Sequence, residues 1–317
     1  MGTASTMAAI TAALGLMPLA GATTPAVSSA RLRLAEETGT RAVEVALANL
    51  SPQTLLSEES FLNAITVLQA IEVSTNAVVH LLAIANRHPR VQGKITLQTF
   101  DDVGRKVPLL IDLKSSGNNY MTVFHNAGGI IGLLHTLRPL LHLNAMTISG
   151  KTLRQVLDDL PFRRFPLTET IIRPLSDPLY PASSLVVLRG NLAPGGAILK
   201  ASAAKDRRLL QHSGLAVVFR DSTDLALRID DPEFAVTSDS VLVLQGIGPV
   251  GNPGMPEAGL IPIPRKLAHV GCERCAAYFR RTHVRYCGRI YHHPCRTGVG
   301  IARVGIRRHL RWRYHHM

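Results

Sequence analysis

The runs SSLVVLRG (183–190), AILKA (197–201), LAVVFR (215–220) and SVLVLQG (240–246) are short, apolar and divided by Gly, Pro and Asp. Regularly spaced strands with turn residues between them predict a β-barrel or β-sandwich. DSTDLALRID (221–230) reads as one helix between strands. Working outward toward the N-terminus, the pattern becomes helical. Ala-rich residues 5–16 are followed by Pro18, and Ser28 and Ser29 are placed to cap a helix that begins near Arg31. Ser57 and Ser60 open FLNAITVLQAI, where Phe61, Ile65, Leu68 and Ile71 share one helical face. Asn126-Ala-Gly-Gly129 opens IIGLLHTLRPLLHL, and TISGKTLRQVLDD (147–159) reads as a turn leading into a helix. The proline-rich stretch 161–183 separates the two textures, so the fold class is α/β: a mainly helical α/β front and a β rear.

Composition divides the chain at a different place. Of the 35 Lys+Arg and 22 Asp+Glu, residues 270–317 hold 11 basic and one acidic, which leaves 24 basic and 21 acidic over 1–269. The pI of 10.2 is therefore set by the tail. All four cysteines (Cys272, Cys275, Cys287, Cys295) and the single Trp312 also lie there. At 317 residues and 46% hydrophobic, the chain is long enough to bury a core in about two domains. Residues 8–20 (AAITAALGLMPLA) lack the basic flank of a signal peptide, since no Lys or Arg precedes Arg31. No uninterrupted apolar run approaches the roughly 18 residues of a membrane span. A cytoplasmic protein without membrane contact is expected.

Three groups of residues carry possible chemistry. Ser74-Thr75-Asn76 precedes AVVHLLAIA at a helix start, where free backbone N–H groups can receive a carboxylate, although the residues alone favour a simple N-cap. His135 and His142 lie seven apart on an apolar helix face and read as packed or half-exposed core histidines rather than metal ligands. The run GIGPVGNPGMPE (246–257) holds four glycines and three prolines and closes on Glu257, a stiff loop that permits close backbone approach.

Three blocks, MGTASTM (1–7), LVVLRGNLAP (185–194) and GNPGMPEAGLIPIPRKL (251–267), resemble segments of the dihydroxy-acid and sugar-acid dehydratases, the iron–sulfur hydro-lyases, in that family's order. The resemblance covers about 1–269 and looks closest to the sugar-acid branch. It implies a rear portion of such an enzyme: 1–165 as the remnant of a three-layer α/β domain, 166–269 as a β-barrel-like domain, and 270–317 as a basic, disordered tail. It implies Glu257 as a Mg²⁺ ligand and Ser74, Thr75 and Asn76 as substrate-binding, with Glu72 and Val73 standing where the family has two glycines. It also implies loss of water from a 2,3-dihydroxy acid to give a 2-keto acid. The family's iron–sulfur cluster is not expected here, because no cysteine precedes Gly271. No catalytic residue is assigned, and the chain is expected to be inactive alone. Its partners are expected to be a small sugar acid in intact relatives and, for the chain itself, further copies in a homo-oligomer.

The resemblance stops near Val270. Codons permitted for Cys272–Gly288, read from the second base, translate as VKDVLRISDARMSGTA, the block that follows in the family. This implies a frameshift near 268–272, with the family's catalytic serine encoded out of frame across Val284 and Arg285. The alternative is a non-catalytic protein that uses the tail. Cys272, Cys275, His283, Cys287, His292, His293 and Cys295 offer zinc-type ligands. The arginines with Tyr286, Tyr291, Trp312 and Tyr314 offer nonspecific nucleic-acid binding.

Overall fold

A computed structural model describes residues 2–71, 74–114, 117–183, 185–190, 193–201, 210–248, 261–270, 276–281 and 310–313. The chain divides into two compact units, Met1–Leu185 and Val186–Met317.

The first unit is built from α1 (Thr3–Ala13), α2 (Ser29–Leu47), α3 (Pro52–Leu55), α4 (Glu58–Ile71), α5 (Asn76–Arg87), α6 (Leu97–Gly104), α7 (Met121–Asn126), α8 (Gly129–Leu137), α9 (Leu153–Asp159) and α10 (Pro166–Ile171). Among the described residues its extended segments meet as isolated bridges, such as Leu109 with Tyr180 and Ile111 with Ile172. Among the described residues no layered sheet forms in this unit.

The helix α4 is the centre of the unit. Ser57 and Ser60 exchange hydrogen bonds, each backbone N–H donating to the other's hydroxyl at 3.3 Å, which satisfies two groups at the start of the helix. The helix is more buried than its apolar face alone predicts. Besides Phe61, Ile65, Leu68 and Ile71, the polar Asn63 and Gln69 are 0% exposed. Burial is tolerated because each finds partners. Asn63 donates to His142 O at 3.0 Å and accepts from His142 N at 2.7 Å. Gln69 donates to Phe100 O at 2.8 Å and accepts from the Ser183 hydroxyl. Unsatisfied, each amide would cost about 1–3 kcal/mol.

Local rules account for other ends. Thr152 caps α9 in a reciprocal pair with Gln155. Gly128 and Gly129 open α8 at φ +113° and +56°, and a Cβ on Gly129 would lie 2.4 Å from Thr23 Oγ1. At the start of α2 the expected cap differs: Ser28 Oγ donates backward to Pro25 O at 2.8 Å and caps nothing in the helix.

The second unit contains β1 (Leu185–Gly190), β2 (Ala193–Lys200), β3 (Gln211–Gly214), β4 (Ala216–Phe219), α11 (Ser222–Arg228), β5 (Val241–Ile247), α12 (Arg265–His269), β6 (Ala276–Arg281) and β7 (Leu310–Arg313). The predicted barrel is not what the described strands form. They make two two-stranded sheets, β1-β2 and β3-β7, and one three-stranded sheet, β4-β5-β6, all open. The last is parallel, with Ala216 opposite Val241 and Val241 opposite Ala276. Parallel neighbours require a crossover, and α11 supplies it between β4 and β5. Asp221 caps α11 by accepting from Asp224 N at 2.8 Å. Val241–Leu244 are at most 1% exposed, the continuous apolar run expected of a strand covered on both faces. The tail expected to be disordered contributes β6 and β7. In β6, Tyr and Phe favour extended backbone, and β5 offers an edge to pair. The remainder of 270–317 lies outside the described residues apart from Val270.

Candidate functional site

Two helix starts, 73 positions apart in sequence, meet in the first unit. The α1 start follows Gly2, whose carbonyl accepts from both the backbone N–H and the hydroxyl of Thr6, at 3.1 and 2.8 Å. The α5 start follows Ser74-Thr75. Ser74 Oγ accepts from Asn76 N at 3.3 Å, while Ala77 N and Val78 N donate to the carbonyls of Ser74 and Thr75. The serine thus turns the chain into the helix, as the N-cap reading expects.

Side chains link the two starts. Asn76 Nδ2 donates to Thr3 Oγ1 at 2.8 Å, and Thr3 Oγ1 lies 3.0 Å from Ser74 Oγ. Ser74, Thr75 and Asn76 are 5%, 7% and 5% exposed. Asn76 Oδ1 is buried and has no hydrogen-bond partner among the described residues. An orphaned acceptor of this kind calls for a donor. The positive ends of the α1 and α5 dipoles converge on the cluster, which favours a negative group beside it. The arrangement suits a ligand that combines a carboxylate with hydroxyl donors.

The structure therefore brings Ser74, Thr75 and Asn76 together with Thr3, a residue the sequence does not single out within MGTASTM. Glu72, Val73 and the predicted Mg²⁺ ligand Glu257 lie outside the described residues. So do Cys272, Cys275, Cys287 and Cys295, as well as His283, His292 and His293 of the zinc alternative. Among the described residues no group of three or more His, Cys, Asp and Glu could hold a metal ion. The cluster at Thr3, Ser74, Thr75 and Asn76 offers hydroxyls and an amide. That donor set does not fit an iron–sulfur cluster, which thiolates hold, and it lacks the carboxylates that usually anchor Mg²⁺.

His135 and His142 do not act together. His135 Nε2 bonds Leu160 O at 2.8 Å with its ring 6.0 Å from Phe162, whereas His142 is exposed and engaged through its backbone with Asn63. A histidine that the sequence does not single out is better placed. His125 Nδ1 lies 3.3 Å from Thr23 Oγ1. Burial, and then the nearby Arg31 guanidinium, hold its pKa below the ordinary histidine value. Its position just before Ala127-Gly128-Gly129 is the signal that could have marked it.

Comparison with known proteins follows the same division. The N-terminal model of the dihydroxy-acid/6-phosphogluconate dehydratases matches residues 1–156, and the C-terminal model matches residues 170–288. The second match runs past Val270, where the quoted motifs end. The chain is 39% identical over 274 residues to the 6-deoxy-6-sulfo-D-gluconate dehydratase of Pseudomonas putida, covering 86% of this chain and 46% of that protein. It is 41% identical over 261 residues to the L-arabinonate dehydratase of Rhizobium leguminosarum bv. trifolii, covering 82% and 44%. It is 37% identical over 257 residues to the dihydroxy-acid dehydratase 1 of Methanosarcina acetivorans, covering 81% and 45%. The chain thus spans less than half the length of the relatives it matches.

Proposed function

The chain belongs to the dihydroxy-acid/6-phosphogluconate dehydratase family, and on that premise we propose that it carries part of a sugar-acid dehydratase site and does not complete the reaction alone. The reaction is loss of water from a 2,3-dihydroxy acid: the C2 proton and the C3 hydroxyl leave, and the resulting enol tautomerises to a 2-keto acid. The observation that carries this reading is the orphaned Asn76 Oδ1 inside the Thr3–Ser74–Asn76 cluster. A hydroxyl of the acid would donate to Asn76 Oδ1. Its carboxylate would lie at the helix starts, where the dipoles favour negative charge. The motif GMPEAGLIPIPRKL (254–267), which resembles the sugar-acid branch, supports that substrate class over branched-chain dihydroxy acids.

In the family the Lewis-acid chemistry belongs to an iron–sulfur cluster and Mg²⁺. Neither group fits the donors of the described cluster, so the role proposed for these residues is binding and orientation. Glu257 stays the proposed Mg²⁺ ligand by resemblance. A cytoplasmic location is proposed on similar grounds, and among the described residues no helix is long and apolar enough to cross a membrane.

Equilibrium binding of L-arabinonate to the purified chain tests the site. Asn76→Asp places a carboxylate beside the proposed carboxylate and should weaken binding at least about tenfold, the scale of a lost charge-assisted contact. Unchanged affinity in that variant would remove the cluster from the site. Separately, formation of 2-keto acid by the chain after iron and sulfide reconstitution would refute the proposed inactivity.

A further inference from the structure

The cluster at Thr3, Ser74 and Asn76 has a definite hydrogen-bond polarity. Asn76 Nδ2 donates to Thr3 Oγ1 at 2.8 Å, and Asn76 N donates to Ser74 Oγ at 3.3 Å. Each of these bonds occupies a lone pair of a hydroxyl and none of its protons. Thr3 Oγ1 and Ser74 Oγ lie 3.0 Å apart, so one of their two protons fills the space between them. The other proton has no acceptor within the cluster. Asn76 Oδ1 has no donor among the described residues, and Asn76 is 5% exposed. Whichever hydroxyl supplies the bridging proton, the cluster presents one O–H donor and one C=O acceptor. The amide keeps these roles as long as Thr3 holds its NH2 group.

We infer that this cluster is a specificity-determining subsite that accepts an alcohol and rejects a ketone, with Thr3 as the positioning residue that sets its polarity. The inference rests on the proposed sugar-acid site. An alcohol donates and accepts through one oxygen, so a single hydroxyl meets both leftover groups. A ketone oxygen only accepts, and leaves Asn76 Oδ1 buried without a donor. Loss of water from a 2,3-dihydroxy acid changes the ligand at the atoms concerned: C2 passes from alcohol to carbonyl and C3 from alcohol to methylene. The cluster sits at the same helix starts that favour the carboxylate, which places the recognised hydroxyl beside the carboxylate, on C2 or C3, and not at the far end of the acid. Neither carbon of the keto acid carries an O–H to donate. Substrate and product bear the same single carboxylate, so the attraction of the α1 and α5 dipoles is common to both and cancels in their ratio. The dipoles supply affinity, and the cluster supplies discrimination between substrate and product.

The test is equilibrium binding of two ligands to the purified chain at one pH and ionic strength: L-arabinonate, and the 2-keto-3-deoxy acid formed from it by loss of water. The dihydroxy acid should bind at least about tenfold more tightly, the scale of one buried hydrogen-bonding group left unpaired. Thr3→Val removes the acceptor that orients the amide, so the ratio of the two affinities should fall toward one, and Thr3→Ser should restore it. A purely structural defect weakens both ligands together and leaves the ratio unchanged, which would overturn the role given to Thr3. Equal affinity of the wild-type chain for the two acids overturns the inference and leaves the substrate site standing. Tighter binding of the keto acid also overturns it, since the amide would then present its NH2 group to the ligand. Binding of neither acid removes the substrate site and the inference with it. The wild-type ratio decides the matter even where a variant fails to fold.

Discussion

The side-chain amide of Asn76 donates to the hydroxyl of Thr3 at 2.8 Å. This bond fastens the start of α5 to the start of α1 and defines the candidate site. Thr3→Val keeps the shape and removes the acceptor, so the buried amide loses its partner. Destabilisation of about 1–3 kcal/mol is expected in urea unfolding, and Thr3→Ser should recover most of it. Equal stability of wild type and Thr3→Val would show the amide to be satisfied elsewhere.

The partly buried His125, beside Arg31, makes stability depend on pH. Burial and Arg31 lower the folded-state pKa of His125 below 6.5. As pH falls through that ordinary value, the unfolded chain takes up a proton that folded His125 resists. The contribution is thus fully present above about pH 6.5 and is lost as pH falls toward the folded-state pKa. Urea midpoints should drop over this interval, and the drop should be shallower in His125→Gln. An identical slope in the variant would assign the effect to other groups.

Gly129 has φ +56°, and a Cβ there meets Thr23 Oγ1 at 2.4 Å. Gly129→Ala should cost about 1–3 kcal/mol from backbone strain and crowding together. Adding Thr23→Ala removes the crowding and leaves the strain, so the double variant should regain part of the loss. Full recovery would mean that the dihedral is not strained for alanine.

Phe61, 0% exposed in the first turn of α4, contrasts with Leu32, 75% exposed on α2. Thermal or urea unfolding should register about 3–5 kcal/mol of loss for Phe61→Ala. Leu32→Ala should change stability by about 0.5 kcal/mol or less. A large loss at Leu32 in the isolated chain would mean that α2 is covered there.

The DNA encoding residues 272–288 provides a test that needs no protein. Read from the second base of the Cys272 codon, it should translate as VKDVLRISDARMSGTA. Codons that give any other string end the frameshift reading and return the cysteines and histidines of the tail to consideration as zinc ligands.

The helix start at Ser57 with Ser60 was legible in the sequence, and the caps at Thr152 with Gln155 and Asp221 with Asp224 obey the same local rule, because each joins residues three positions apart and needs no distant partner. Family membership was legible as well, since it rests on contiguous blocks of residues. The apolar run Val241–Leu244 was recognisable as a strand, but its parallel pairing with β4 was not, because orientation depends on the path the chain takes through α11. Asn63 and Gln69 look like solvent-facing residues until His142, Phe100 and Ser183 arrive to satisfy them. The meeting of Thr3 with Asn76 and the outward turn of Leu32 and Leu47 belong to the same class. Which face of a helix is covered, and which two helix starts converge, is decided by packing between segments distant in sequence, and local periodicity carries no information about that choice.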